Sequence, residues 1–573
     1  MQKVCTFAEM KPAFLIAAPT SGSGKTTIAR GLMALLTSKG MKVQPFKCGP
    51  DYIDTKFHAS VCGRPSINLD TFMASPEHIR ELFWHYGEDA DVCIVEGMMG
   101  LFDGYDRDKG SAYEIAKTLD IPAVLVVDAK SAAYSVAALL QGFLNFRKDI
   151  RFAGVKSQFL IAAPTSGSGK TTIARGVMAL LRARGYRVQP FKCGPDYIDT
   201  KFHEAVCGRP SVNLDTFMAS PEHVRGVFGH YGADADICVV EGMMGLFDGY
   251  DRDRGSSAEI ARVLDIPVVL VVDARSAAYS TAALLSGFIH FRKDLRFAGV
   301  IFNKVGSAGH LQMLRQVCDD LGVRCFGHLP KRAELEQGSR YLGLDFSQKA
   351  ETEGLVQQLD ENVDWKGLTS CTDWTEHSKG LDGVFHEIAP SNLKVLIARS
   401  DESFSFIYQE TLDRHPHARF FNPETDVPDF GGIDLLYLPG GYPEKHLQAL
   451  TANEACREAI RAYAEQGGRV MAECGGMMYL CRNIVTDNGN YPMCGVLPYS
   501  ITARKADRRL SLGYRQFTLD GRNYRGHEFH YTQFDGPTPP SVAQVCNAKG
   551  QPVATPVFKH QNVLASYTHL YQI

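Results

Sequence analysis

Short apolar runs of strand length recur along this chain and alternate with longer stretches of helical periodicity. Residues 159–163 (FLIAA), 237–240 (ICVV) and 266–272 (IPVVLVV) are such runs, and residues 393–398 (LKVLIA) begin a second series. Strands of this kind, separated by helices, are typical of a mostly parallel sheet that is covered on both faces. The pattern therefore predicts α/β domains in both halves of the chain.

The first half of the chain contains an internal repeat. Residues 14–155 (the first copy) align with residues 159–300 (the second copy) at a constant offset of 145, and 28 of these 142 positions differ. The second copy continues through residues 301–344, for which the first copy has no counterpart. We therefore expect a partial extra domain over residues 1–156, with an open sheet edge, and a complete domain over residues 157–345. Two explanations of the first copy stay open, a genuine half-domain and an error of gene prediction or assembly.

Length and composition narrow the class of protein. The 573 residues are too many for one core, and 45 % hydrophobic with 22 % charged residues is ordinary for globular domains. With 61 Lys and Arg against 64 Asp and Glu, no nucleic-acid partner is expected. The start shows no signal-peptide pattern and the apolar runs are too short for a membrane span, so we expect a cytoplasmic protein. Fifteen cysteines without a CxxC pair argue against disulfides, zinc and iron–sulfur sites.

A phosphate-binding loop follows the run at residues 159–163. The segment PTSGSGKTT places small residues before a helix, so that backbone N–H groups and the helix N-terminus suit a triphosphate. The alternative to a phosphate-binding loop is a Gly/Ser-rich turn that only opens a helix. Lys170 is expected to contact the terminal phosphates of ATP, and the hydroxyl of Thr171 to bind Mg²⁺. The predicted ATP-binding residues of this loop are Ser166, Gly167, Ser168, Gly169, Lys170, Thr171 and Thr172.

Carboxylates follow two later strands of the same copy. Asp196 and Asp199 lie after a Gly-Pro turn, where they suit a metal or substrate contact, although Asp also caps helices. Glu241 ends an apolar run, where the magnesium-binding carboxylate of a P-loop ATPase is expected, and Asp248 follows among glycines. At the end of the strand that the first copy lacks, Asn303 and Lys304 are predicted to lie near the nucleotide base.

The C-terminal half carries a candidate nucleophile. Cys474 lies between a strand and a helix with two glycines after it, as on a nucleophile elbow, and we expect the helix N-terminus to lower the pKa of its thiol. His569 is the candidate base, and Gly440 with Gly441 is the candidate oxyanion hole. The pattern around His527 and His530 predicts a strand that puts the two side chains on opposite faces, which disfavours a metal site.

With these residues, the chain resembles the cobyrinate a,c-diamide synthases, amidotransferases of corrinoid biosynthesis. The matching segments are PTSGSGKTT, FKCGPDYIDTKFH, VEGMMGLFDGYD, LPGGYPEKH, AECGGMMYL, GHEFHYT and ASYTHLY. Glycine interruptions after a short helical pattern predict an interdomain linker over residues 346–390. The resemblance implies an ATP-dependent domain similar to dethiobiotin synthetase and a flavodoxin-like class I glutamine amidotransferase domain over residues 391–573. It also implies that Cys474 and His569 release ammonia from L-glutamine, and that ATP and Mg²⁺ activate cobyrinate carboxylates as acyl phosphates.

Two departures from the family pattern bear on these expectations. No Glu stands two residues after His569, so the usual third member of the catalytic triad is absent or replaced. The duplicated copy is not a family feature, and the role of its equivalent residues stays open; these are Lys25, Thr26, Asp51, Glu96 and Asp103.

The alternatives are a ParA/MinD-like switch ATPase, amidation of another tetrapyrrole (hydrogenobyrinate or nickel sirohydrochlorin), and a misassembled chain whose active form begins near Gln158. The sequence predicts neither the oligomeric state nor the route of ammonia.

Overall fold

The computed structural model describes residues 12–128, 135–147, 149–150, 152, 157–331, 349–369 and 390–571. The chain forms two compact units. One consists of Met1–Gln158, Leu180–Arg187 and Val363–His377, and the other of Phe159–Ala179, Val188–Asn362 and Ser378–Ile573. In the described part of the chain, no helix is both long and apolar enough to cross a membrane.

The first copy folds into alternating strands and helices. In chain order they are β1 (Ala13–Ala17), α1 (Lys25–Ser38), β2 (Val43–Cys48), α2 (Asp54–Cys62), β3 (Ile67–Leu69), α3 (Pro76–Gly87), β4 (Val92–Glu96), α4 (Ala112–Leu119), β5 (Ala123–Leu125) and α5 (Ser135–Phe146). The described strands form a parallel sheet in the order β3-β2-β4-β1-β5. Every residue of β2 and β4 is buried, including the polar Gln44, Lys47 and Glu96.

The second copy repeats this arrangement and extends it. Its elements are β6 (Ser157–Ala162), α6 (Lys170–Ala183), β7 (Val188–Cys193), α7 (Ile198–Cys207), β8 (Val212–Leu214), α8 (Pro221–Gly232), β9 (Ile237–Glu241), α9 (Ser257–Leu264), β10 (Val268–Asp273), α10 (Thr281–Phe291), β11 (Phe297–Val305), α11 (Ala308–Leu321) and β12 (Cys325–Pro330). The sheet order is β12-β11-β10-β6-β9-β7-β8. Strands β11 and β12 lie beyond β10, whereas the equivalent β5 is the last strand described in the first sheet. Among the described residues Phe152 forms a parallel bridge with Ala123 of β5, and an open edge beyond β5 stays a prediction.

Two helices follow the second copy, α12 (Lys349–Asn362) and α13 (Trp365–Thr369). Leu355 and Leu359 of α12 are buried, and a Cβ atom on Gly176 of α6 would lie only 2.3 Å from Leu359 Cδ1. The segment predicted as a linker over residues 346–390 therefore includes a helix packed on α6. Residues 332–348 and 370–389 of the predicted domain and linker lie outside the described residues.

The C-terminal half is a second α/β arrangement. Its elements are β13 (Val395–Ala398), α14 (Gln409–Arg414), β14 (Arg419–Phe421), β15 (Leu435–Leu438), α15 (Leu447–Ala452), α16 (Glu454–Glu465), β16 (Val470–Glu473), α17 (Gly475–Leu480), β17 (Asn483–Thr486), β18 (Gly489–Pro492), β19 (Ser500–Thr502), β20 (Ser511–Leu519), β21 (Arg522–His530), β22 (Gln533–Phe534), β23 (Val557–His560), β24 (Val563–Ser566) and β25 (His569–Leu570). The main sheet has the order β14-β13-β15-β16-β24-β23, and it is parallel except for the β23–β24 pair. Smaller sheets, β18-β17-β19-β22 and β20-β21-β25, follow it.

The second copy and the C-terminal half pack together within one compact unit. Tyr197 stacks on Phe406 with ring centroids 5.2 Å apart and an interplanar angle of 10°. The hydroxyl of Tyr514 donates a hydrogen bond of 2.7 Å to Asp215, and its ring lies 4.5 Å from that of Phe217. These contacts bury the loops at the carboxyl ends of β7 and β8, where the sequence places candidate site residues.

Candidate active site

The loop between β6 and α6, where the sequence predicts phosphate binding, turns through two glycines. Gly167 and Gly169 have φ values of 79° and 85°, in the left-handed region that glycine adopts without strain. The ammonium group of Lys170 donates to the carbonyl oxygen of Met244 at 3.3 Å, across the mouth of the loop. Ser166, Gly167 and Ser168 line a cavity of about 270 Å³.

Asn303 closes this loop from β11. Its amide nitrogen donates to the carbonyl oxygen of Ser168 at 3.0 Å, and a Cβ atom on Gly169 would lie 2.0 Å from that nitrogen. Only glycine therefore fits at position 169. Lys304 has a φ of 60°, and its ammonium group lies 3.6 Å from Asp273. The structure thus gives Asn303 a contact with the phosphate loop itself, and its proximity to a nucleotide base stays a prediction.

Glu241 is the centre of a buried polar cluster behind the loop. One carboxylate oxygen accepts the hydroxyl of Thr171 at 2.6 Å and lies 3.0 Å from the ammonium group of Lys192. The other lies 2.7 Å from Nε2 of His203. Burial alone would raise the pKa of Glu241, but Lys192 and His203 hold it well below its usual range. The carboxylate is therefore ionised, as a ligand of a cation must be.

The other predicted carboxylates differ in their surroundings. Asp199 forms a 2.6 Å ion pair with Lys192, so it belongs to the cluster around Glu241. Asp196 accepts the backbone N–H groups of Ile198 and Asp199, each at 2.9 Å, as a turn-capping residue does. Asp248 accepts the N–H of Gly245 at 3.1 Å. Asp196 and Asp248, unlike Asp199, line the large cavity described below.

The first copy repeats the cluster but not the closure of the loop. Glu96 accepts from Thr26 at 2.6 Å, while Lys25 donates to the carbonyl oxygen of Met99 at 2.5 Å. Asp51 and Asp103 occupy the same turns as their equivalents. A Cβ atom on Gly24 would meet nothing within 4 Å, because this copy has no counterpart of Asn303 among its described residues.

Cys474 lies on a sharp turn between β16 and α17. Its φ of 44° and ψ of −106° form the backbone conformation of a strained elbow, as the sequence predicts. Its N–H donates to the carbonyl oxygen of Ser566 at 2.8 Å. A Cβ atom on Gly476 would lie 2.0 Å from the carbonyl oxygen of Leu438, so the glycines allow α17 to approach β15.

Gly440 and Gly441 lie close both to the turn at the cysteine and to the histidine. A Cβ atom on Gly440 would lie 2.1 Å from Cε1 of His569, and one on Gly475 would lie 3.0 Å from the backbone nitrogen of Gly441. The two predicted oxyanion-hole glycines therefore lie against His569 on one side and against the turn that follows Cys474 on the other. Within the described residues, Nδ1 of His569 has no hydrogen-bond partner, which agrees with the missing triad carboxylate.

Burial sets the protonation of this pair. Burial raises the pKa of the Cys474 thiol, to which the nearby Glu444 carboxylate adds, and it lowers the pKa of His569 well below its usual range. The N–H of Gly475 at the start of α17 lowers the pKa of Cys474, but burial outweighs it at this residue, which is 3 % exposed, so the predicted net lowering was wrong. In this state the pair consists of a neutral thiol and a neutral imidazole.

One large cavity is lined by residues of both halves, although Cys474 and the phosphate loop are not in its wall. Its volume is about 1240 Å³, and its wall includes Asp196 and Asp248 from the second copy with Tyr442 and His569 from the C-terminal half. The sequence analysis missed three residues that the structure places beside the predicted ones, namely Lys192, His203 and Glu473. Lys192 and Glu241 end neighbouring parallel strands, which is the signal that could have found this pair.

Comparisons with known proteins support both halves of this description. A family described as the CobQ/CobB/MinD/ParA nucleotide binding domain matches residues 14–155 and 159–342, and the CobB/CobQ-like glutamine amidotransferase domain matches residues 394–572. Cobyrinate a,c-diamide synthase of Caldanaerobacter subterraneus subsp. tengcongensis is 40 % identical over 438 residues, which cover 72 % of this chain and 94 % of that protein. Hydrogenobyrinate a,c-diamide synthase of Pseudomonas aeruginosa is 38 % identical over 424 residues, with the same two coverages.

A third relative is the hydrogenobyrinate a,c-diamide synthase of Mycobacterium tuberculosis, 38 % identical over 440 residues that cover 72 % of this chain and 94 % of its own. Both parts of the site thus lie in regions that match known domains, in the order expected for a glutamine-dependent synthetase. The chain belongs to the family of cobyrinate and hydrogenobyrinate a,c-diamide synthases.

Proposed function

We propose that this chain converts a cobyrinate-type corrinoid to its a,c-diamide, using ATP and the ammonia released from L-glutamine. The observation that carries the proposal is the single cavity of about 1240 Å³ that contains His569 in one wall and Asp248 in another. A cavity of this size exceeds that of most small-molecule sites and has room for a tetrapyrrole. Ammonia released beside His569 would enter the same cavity that Asp196 and Asp248 line.

Glutamine hydrolysis is assigned to Cys474 and His569. The sulfur of Cys474 attacks the side-chain carboxamide of glutamine while His569 takes the thiol proton. The backbone N–H groups near Gly440 and Gly441 stabilise the oxyanion. The C–N bond then breaks, His569 returns the proton to the leaving nitrogen, and neutral ammonia departs from a glutamyl thioester. The elbow conformation of Cys474 and the contact between Gly440 and His569 support these roles.

ATP-dependent activation is assigned to the second copy. Residues of the loop from Ser166 to Thr172 surround the phosphates, and Lys170 contacts the terminal ones. The γ-phosphoryl group passes to a substrate carboxylate near Asp196 and Asp248, and ammonia then displaces the phosphate from the acyl phosphate.

Thr171 and Glu241 fit a magnesium ion at this loop. Their oxygen atoms lie 2.6 Å apart, and oxygen ligands of this kind are those that Mg²⁺ prefers. A cation held there would take its other ligands from phosphate oxygens and water, and it would neutralise charge on the β- and γ-phosphates. Lys192 and His203 keep the carboxylate of Glu241 ionised.

We assign the working synthetase to the second copy for two reasons. Asn303 closes its phosphate loop, whereas a Cβ atom on the equivalent Gly24 meets nothing within 4 Å. In addition, residues 159–573 are 415 of 573 residues, or 72 % of the chain, which is the share that the relatives cover.

The test compares substrates and nitrogen sources. Full-length protein with Mg²⁺ and ATP is given cobyrinate, hydrogenobyrinate or nickel sirohydrochlorin, with glutamine or with ammonium. We expect a diamide from cobyrinate with either nitrogen source, and from the Cys474→Ala variant only with ammonium. If none of the tetrapyrroles is amidated while ATP is hydrolysed, the proposed substrate class is wrong. If Cys474→Ala still uses glutamine, the assigned nucleophile is wrong.

A further inference from the structure

A second histidine faces the proposed base inside the cavity. His527 on β21 lies directly opposite His569 in the antiparallel β21–β25 pair, so both side chains leave the same face of the sheet. Their ring centroids are 5.9 Å apart, and the rings are inclined by only 26°. Both residues line the large cavity.

Both imidazoles carry an unsatisfied nitrogen. His527 is 6 % exposed and His569 is 1 % exposed, and Nδ1 of each has no hydrogen-bond partner among the described residues. Buried polar atoms almost always have a partner, so an unpaired nitrogen in a cavity wall indicates a ligand or an ordered water. The two unpaired nitrogens belong to adjacent rings in the same part of the cavity wall.

His530 lies on the same strand as His527 but differs from it, because both of its ring nitrogens have hydrogen-bond partners. Its Nε2 pairs with Glu528 at 2.6 Å, and its Nδ1 pairs with the carbonyl oxygen of Thr532 at 2.8 Å. Glu528 also contacts Arg515 and Thr555, from which it accepts hydrogen bonds. The polar groups beside His527 on its own strand are thus engaged with one another, and His527 is directed to the cavity instead.

We propose that His527 binds the ammonia released at Cys474, accepting a hydrogen bond from it on the way to the activated carboxylate. The inference rests on the proposed function. Ammonia is released beside His569, and His527 lies directly opposite His569, lines the same cavity and has no side-chain hydrogen-bond partner at Nδ1 among the described residues. The cavity wall also contains the aromatic rings of Phe406 and Tyr442 and the carboxylates of Asp196 and Asp248, so His527 adds a neutral hydrogen-bond acceptor close to His569.

The protonation state of the ring suits this role. Burial lowers the pKa of His527 to about 4, so the imidazole is neutral at physiological pH. A neutral imidazole accepts a hydrogen bond from ammonia without giving it a proton, because ammonia would have to take that proton from a cationic ring. The molecule that left the thioester step as neutral NH₃ therefore keeps the lone pair that attacks the acyl phosphate.

The test measures coupling between the two half-reactions in the full-length protein. Glutamate and amide product are quantified together with saturating ATP and corrinoid, for wild type, His527→Phe and His527→Gln. We expect near-equal yields for wild type, and for His527→Phe about three to ten molecules of glutamate per amide, since one hydrogen bond is lost. His527→Gln keeps a hydrogen-bond acceptor and should restore most of the coupling.

Ammonium-dependent synthesis separates this role from a structural one. His527→Phe should raise the KM for ammonia by a similar factor and leave kcat unchanged, which also shows that the variant is folded. If His527→Phe does not fold, His527→Leu replaces it in the same measurements. One-to-one coupling in the variant, or equal loss of glutaminase and synthetase rates, would overturn the inference alone. A wild-type chain that amidates no corrinoid with either nitrogen source would overturn the proposed function and this inference with it.

Discussion

The buried carboxyl group of Glu473 accepts a hydrogen bond of 3.1 Å from the backbone N–H of Leu570. Glu473 immediately precedes Cys474, and Leu570 immediately follows His569, so this bond joins the strand of the proposed nucleophile to the strand of the proposed base. The second carboxyl oxygen accepts the hydroxyl of Tyr437 at 2.9 Å. The enzyme thus holds its cysteine and histidine together through the backbone, although no carboxylate follows His569 at the usual position.

Replacing Glu473 should therefore impair glutamine use selectively. In Glu473→Ala the N–H of Leu570 and the hydroxyl of Tyr437 lose a buried partner, and we expect glutamine-dependent turnover to fall about tenfold or more. Ammonium-dependent turnover should change less than twofold, because Glu473 does not line the shared cavity. Glu473→Gln keeps one acceptor oxygen and should lose less. Steady-state rates with the two nitrogen sources decide the matter, and equal losses with both would show a general folding defect.

The same residue predicts a pH dependence of stability. Burial raises the pKa of Glu473 to about 8, well above its unfolded value. The folded protein then holds a proton that the unfolded chain has released above about pH 4.5, so the free energy of unfolding falls as pH rises toward 8. Glu473→Gln cannot titrate at this position.

Thermal unfolding from pH 6 to 9 can measure this effect. The transition temperature of Glu473→Gln relative to wild type should rise with pH and level off above about pH 8. His527, whose pKa is lowered to about 4 in the fold and is about 6.5 in the unfolded chain, is present in both proteins, so its contribution cancels from the difference. A difference that is independent of pH would mean that Glu473 is ionised throughout.

The two phosphate loops provide a matched pair of lysines. Lys170→Ala should abolish ATP-dependent amide synthesis, whereas Lys25→Ala should leave most of it, because only the second loop is closed by Asn303. Product formation with ammonium isolates this step from glutamine hydrolysis. Equal losses from the two substitutions would show that the first copy takes part in catalysis. Full activity of both variants would remove Lys170 from the site.

Local features of both sites could be predicted from the sequence, since they depend on neighbouring residues. The strand, loop and helix around Lys170 and the elbow at Cys474 follow from apolar runs that end in glycines. The α/β class and the strand that contains His527 and His530 were confirmed for the same reason. Each of these elements is determined by a continuous segment.

Features that depend on tertiary contacts could not be predicted in this way. Lys192, His203 and Glu241 are distant in sequence and meet only because β7 and β9 are neighbours in the sheet. The pKa of Cys474 depends on burial by the whole domain, which outweighs the short helix behind it. His527 acquires its partner only when the last short strand, β25, pairs with β21.

The repeated phenylalanine at positions 72 and 217 shows what the first copy lacks. Phe217 is 4 % exposed against Tyr514, whereas Phe72 is 72 % exposed. Met73, which follows it, and Tyr105, whose ring lies 5.0 Å from that of Phe72, are likewise 66 % and 63 % exposed. Exposed apolar side chains grouped in this way favour self-association.

Phe72→Asp and Phe217→Asp should therefore affect different properties, association in the first case and stability in the second. Phe217→Asp places a charge in a buried contact and should lower the free energy of unfolding by about 3–5 kcal/mol. Phe72→Asp should leave unfolding within about 0.5 kcal/mol of wild type, since surface changes cost little, while it weakens concentration-dependent association. Denaturant unfolding and sedimentation velocity over a range of concentrations measure the two effects. A Phe72→Asp variant that is destabilised as strongly as Phe217→Asp would show that residue 72 is covered in solution, because only a buried phenylalanine loses that much free energy on becoming an aspartate.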